Sequence, residues 1–127
     1  MKSEKLDAGP QEIGERAFAF AVRVVKLCQT LDERPGVSRT LSNQLLRAGT
    51  SIGANLEESK GGQSRADFLS KNSIALKEAR ETHYWLRLLT ATGIIPEHQL
   101  TSLLDEARQI TAILTTIVKK LKAPASS

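Results

Sequence analysis

Apolar residues recur along the chain at steps of three and four, the period of one face of an α-helix, and glycine and proline interrupt them. Gly9-Pro10, Pro35-Gly36, Gly61-Gly62, Gly93 with Pro96, and Pro124 divide the sequence into four segments of helical length. The first, Gln11 to Leu31, aligns Ile13, Ala17, Phe20, Val24, Leu27 and Leu31, and Phe18, Val22 and Val25 are expected to widen that buried face. The second runs from an expected N-cap at Ser38 to about Ser59, with Leu41, Leu45, Ala48, Ile52 and Leu56 inward. Gly49 and Gly53 lie beside that stripe. A glycine inside a helix costs roughly 1 kcal/mol against alanine, so close approach of another helix is their expected use and tolerated drift the alternative.

The third segment opens at Ser64 with Asp67 three residues on, a relative of the capping box, and ends at Gly93, which suits the left-handed position after a helix. Phe68, Ala75, Ala79, Leu86 and Leu89 form its stripe, with Leu69 and Leu76 adjacent. The fourth starts at Pro96 as its first helical residue. Leu100, Leu103, Ala107, Ile110, Leu114, Ile117 and Leu121 then alternate steps of three and four in a heptad seam. Short connections between long amphipathic helices favour antiparallel neighbours. The expected fold is all-α: one up-down-up-down four-helix bundle over residues 11–122, with disordered tails at 1–10 and 123–127.

Composition narrows the function classes. The lone Cys28 leaves no disulfide framework and no thiolate cluster for zinc, which points to a reducing, cytoplasmic setting. Residues Met1 to Pro10 carry charges with no apolar run behind them, so they read as neither secretory signal nor anchor. The longest apolar stretch, Ala17 to Val22, falls far short of the roughly 20 residues a membrane span needs. A formal charge of +4 permits contact with nucleic acid, while 4% aromatic residues argue against a base-stacking surface. Any such contact is expected to be with backbone phosphate.

No constellation for catalysis or for a cofactor is legible. Bundles that hold paired metal ions use Glu-x-x-His, and although Glu12/Glu15 and Glu78/Glu81 have the spacing, no histidine takes the partner position. His83 falls beside the Leu69 and Leu76 row, where a half-buried, hydrogen-bonded imidazole is expected, and His98 is expected at the surface. There is no nucleophile elbow, phosphate loop or dinucleotide fingerprint.

Helix three carries more than one bundle needs. Ser73, Lys77, Arg80, Tyr84 and Arg87 line one face, and Ile74, Glu78, Glu81, Trp85 and Leu88 line the next, roughly 100° around. Lys77, Glu78, Arg80, Glu81, Tyr84, Trp85, Arg87 and Leu88 are therefore candidates for a head-to-tail contact between copies, basic face to acidic face, which closes into a ring or runs into a filament. The plain alternative is a solvated charged surface, since exposed ion pairs contribute only about 0 to 1 kcal/mol. Arg39, Arg47, Lys60, Arg65 and Lys71, around helix two and its turn into helix three, are the candidate phosphate contacts. Lys119, Lys120 and Lys122 suit the negative end of a helix dipole.

The run Gln44-Leu45-Leu46-Arg47-Ala48-Gly49-Thr50-Ser51-Ile52-Gly53-Ala54-Asn55-Leu56-Glu57-Glu58 resembles the most characteristic stretch of a bacterial four-helix-bundle family encoded by intervening sequences within 23S ribosomal RNA genes. Ser64, Asp67-Phe68, Ile74-Ala75, Lys77 to Thr82 and Tyr84-Trp85-Leu86 fit it as well, and Glu58-Ser59-Lys60-Gly61-Gly62 stands where the family commonly has a Glu-Gly pair. The resemblance implies a bundle that assembles as a ring, commonly a homopentamer, without enzymatic activity. Related proteins serve retroelements as accessory variability factors that contact a reverse transcriptase and nucleic acid through a basic surface. Within the motif, Arg47, Asn55, Glu57 and Glu81 read either as partner contacts or as a polar network that fixes helix register.

The expected function is a non-enzymatic ring-forming protein with modest electrostatic affinity for RNA or DNA, accessory to a nucleic-acid enzyme. A pure interaction scaffold, and a small-molecule or metal-dependent enzyme housed in the bundle, are the alternatives.

Overall fold

The computed structural model describes residues 10–61 and 64–124, with side chains from residue 12 onward. Four helices account for nearly all of it: α1 (Pro10–Leu31), α2 (Val37–Lys60), α3 (Arg65–Ala91) and α4 (Glu97–Lys122). No strand occurs among the described residues. Residues 1–9 and 125–127, most of the two expected tails, lie outside the description, as does Gly62 of the expected Gly61-Gly62 turn. Pro10 belongs to α1 rather than to a tail.

The caps explain where the helices begin and end. Ser64 accepts a hydrogen bond from the Asp67 backbone N–H at 3.1 Å, as its spacing predicts. Gly93 sits at φ +73°, the left-handed position that stops α3. Two expected caps are displaced. Ser38 lies inside α2, which starts one residue earlier from Gly36 at φ +91° with no side-chain cap, because only glycine takes that backbone turn cheaply. Pro96 is the residue before α4 and not its first turn.

Consecutive helices pack on one another, and α1 also meets α4. The core runs through the middle of all four, from Ile13, Phe20 and Val24 through Leu45, Ile52, Leu86 and Leu89 to Leu100, Ile110 and Leu114. On α4 the buried row drifts from the strict heptad: Val118 takes the inward position and Ile117 is half-buried. A straight α-helix slips about 20° per seven residues against a 3.5-residue repeat, so this drift is the geometric default.

The largest departure is on α1. Phe18 is 71% exposed, and Val22 and Val25 lie on the same outer side. They do not widen the core face; Cys28 completes it instead, exchanging hydrogen bonds with Ser42 of α2 through its Sγ at 3.4 Å and the Ser42 Oγ at 3.3 Å. Five residues after Ile13 carries Phe18 about 140° around the helix, beyond any single buried stripe.

Candidate interaction surfaces

Gly49 brings α1 and α2 together. A Cβ there would stand 2.9 Å from Cγ1 of Val24, whose branched side chain is fully buried. Gly53 is less constrained: its Cβ would lie 3.6 Å from Ala17, an ordinary contact. Close approach is thus required at one of the two glycines.

The charged side chains singled out on α2 and early α3 turn out to be engaged within the chain. Arg39 donates to the Asp32 carbonyl at 2.9 Å, and Arg65 donates to the Leu121 carbonyl at 3.1 Å and the Lys120 carbonyl at 3.3 Å. Both therefore satisfy carbonyls at or just beyond the C-terminal ends of helices, where cations are favoured. Lys60 pairs with Glu57 at 3.5 Å and Lys71 with Glu58 at 2.7 Å. Arg47 bridges Glu78, at 3.4 Å, and Glu81. Each of the five has an intramolecular partner.

That last bridge joins α2 to α3. Glu81 also accepts the Trp85 indole N–H at 3.0 Å, and Tyr84 meets the Trp85 ring edge-on at 5.1 Å between centroids. Glu78 is buried, while Glu81, Trp85 and Leu88 are half-buried. The acidic and apolar row of α3 is hence turned toward α2, and its carboxylates are already paired. Asn55 donates to the Ser51 carbonyl of its own helix at 2.8 Å, outside this network.

The other row of α3 behaves differently. Lys77, Arg80, Tyr84 and Arg87 are exposed, and none of these three cations has an ion-pair partner among the described residues. Arg108 of α4 is likewise exposed and unpaired there. Burial lowers the His83 pKa, and Arg108 and Arg87 lower it further, so a cation from α4 and one from α3 both act on this side chain. Its Nε2 is buried with no hydrogen-bond partner, contrary to the expected bonded imidazole. Periodicity missed Arg108, because nothing in α4 alone tells which helix its flank faces. Across the opposite side, Arg16 binds Glu106 at 2.9 Å and Gln109 at 2.8 Å, fastening α1 to α4.

No group of three metal-ligating side chains occurs among the described residues, and no described helix is long and apolar enough to cross a membrane. His98 is exposed. Four packed helices with a polar α2–α3 seam and solvent-facing charge define a small all-α protein whose distinctive groups lie on its surface.

The model of the 23S rRNA-intervening sequence protein family matches residues 11–116, and the chain belongs to that family. A crystal structure of a protein of unknown function from the S23 ribosomal protein family of Bacteroides thetaiotaomicron VPI-5482 is similar at 43% identity, with a TM-score of 0.79 over 87% of this chain and 97% of that one. No functionally curated protein matches the chain.

Proposed function

We propose that this protein is a non-enzymatic, cytoplasmic assembly subunit that binds RNA or DNA through backbone phosphate, as an accessory to a nucleic-acid enzyme such as a reverse transcriptase. The observation that carries the reading is that Arg80 and Arg87 on α3 and Arg108 on α4 are exposed and unpaired among the described residues, the last two both acting on His83. Elsewhere the chain satisfies its arginines internally, so unpaired ones mark a surface available to an external anion.

An up-down-up-down bundle fits the cross-contacts. Val24 meets Gly49 while Ala17 meets Gly53; Arg47 reaches Glu78 while Glu58 reaches Lys71; His83 lies near Arg108 while Arg65 reaches Leu121. In each pair, rising numbers on one helix meet falling numbers on the next. A ring of such bundles, a pentamer by family resemblance, would repeat the α3–α4 seam around its circumference and sum its field.

Anisotropy of a labelled oligonucleotide against salt tests the proposal. Binding at low salt should weaken steeply as salt rises, and Arg87→Ala or Arg108→Ala should each flatten the logarithmic slope by about 0.7 to 0.9, one phosphate's share. Absence of binding at any salt, with the oligomer intact, leaves a pure interaction scaffold.

A further inference from the structure

The exposed row of α3 is not only basic. Lys77, Arg80, Tyr84 and Arg87 follow one another at steps of three, four and three, so the Tyr84 ring has a guanidinium one turn before it and another one turn after, on the same helix face. At 1.5 Å per residue these stand about 6 Å and about 4.5 Å away along the axis. Tyr84 is 52% exposed, and with Arg87, Leu88 and Ala91 it lines a shallow hollow of about 160 Å³. A lone exposed tyrosine is ordinary. One set between two arginines that no carboxylate neutralises among the described residues is a different surface, because it joins a π face to two anion-binding groups.

The ring is also held in place. Trp85 meets it edge-on, at 5.1 Å between centroids and 75° between planes. The Trp85 indole N–H is fixed on Glu81 at 3.0 Å, and Glu81 is bound in turn by Arg47 of α2. A chain of contacts thus runs from α2 to an aromatic ring outside the core cluster, and it reduces the side-chain freedom that binding would otherwise remove.

We infer that Tyr84 is a stacking platform for one unpaired base, which makes the partner single-stranded nucleic acid rather than duplex. A base laid on the ring carries its two flanking phosphates toward Arg80 and Arg87, while a duplex keeps its bases stacked inside and offers this face phosphate alone. Low aromatic content argues against an extended stacking surface, not against a single ring. The inference rests on the phosphate reading above and adds to it the part of the partner that carries no charge.

Anisotropy with three labelled probes separates stacking from phosphate contact: a single strand, the same strand abasic throughout, and a duplex. Tyr84→Ala should bind the single strand roughly tenfold more weakly at every salt concentration, with the logarithmic salt slope unchanged because no charge is removed. Tyr84→Phe should keep the wild-type affinity, and neither variant should alter binding of the abasic strand or the duplex. Trp85, the chain's one tryptophan, should change its emission on adding the single strand and not on adding the abasic one. Wild-type affinity for the single strand in Tyr84→Ala, or an equal loss for the abasic strand, overturns the stacking and spares the phosphate contacts. No binding of any probe overturns both. A smaller particle by light scattering in Tyr84→Ala also overturns the platform, by placing the ring between copies of the chain.

Discussion

At Gly49 the absence of one methyl group sets how closely α1 and α2 approach. Alanine gains about 1 kcal/mol of helix propensity at either glycine. At Gly49 that gain meets a clash with both Val24 methyls, which cannot turn away inside a packed core, and overpacking costs roughly 1 to 3 kcal/mol. Gly49→Ala should therefore lower the midpoint of urea unfolding, while Gly53→Ala should raise it or leave it unchanged. Equal effects of one sign would refute this contrast. The helix-interior glycines were legible as a place of close contact, but which one is essential depends on the rotamer of a valine on another helix. His83 makes a second residue-level case. Burial and two arginines lower its folded pKa below the unfolded value, so the unfolded chain takes up a proton first as pH falls. Stability should decline on acidification through the ordinary histidine range and be flatter in His83→Gln. Identical profiles between pH 5 and 7.5 would show that His83 titrates alike in both states.

Among elements, the α2–α3 seam shows what periodicity reaches and what it leaves open. Five-residue reasoning on α3 separates a basic row from an acidic one, and both rows exist. Which of them faces a neighbour is set by the handedness of the packing, and the acidic row proved to be the one against Arg47. Exposed apolar rows are hidden for the same reason: Phe18, Val22 and Val25 have core composition, and only the position of α2 and α4 leaves them outside. Arg47 itself is half exposed and can return to water, whereas Glu78 is buried. Arg47→Met should thus cost about 1 to 3 kcal/mol, mostly through the stranded Glu78 carboxylate. In Arg47→Met/Glu78→Met much of that loss should be recovered, since replacing both partners by apolar groups removes the stranded charge. A strictly additive double variant in a denaturant series would mean the bridge does not couple the helices.

On the scale of the whole molecule, the proposed phosphate surface is shared between α3 and α4, so the contributions of its two helices can be tested apart. Arg87 lies on α3 and Arg108 on α4, and both are exposed and act on His83 electrostatically. The four-helix class, most of the core and the family were legible in the chain because they rest on period, glycine placement and a contiguous motif, whereas Phe18, Val22 and Val25 were misplaced. The α3–α4 surface was not, because it is built from residues on two helices whose relative rotation no single segment encodes. Arg108→Ala should leave the helical circular dichroism unchanged and flatten the salt slope by about one phosphate's share per protomer engaged. Arg87→Ala/Arg108→Ala should flatten it by about the sum of the two single effects, because guanidiniums on different helices reach different phosphates. A double variant no flatter than either single one would mean that the two arginines share one phosphate, and the surface would then be narrower than the two helices that build it.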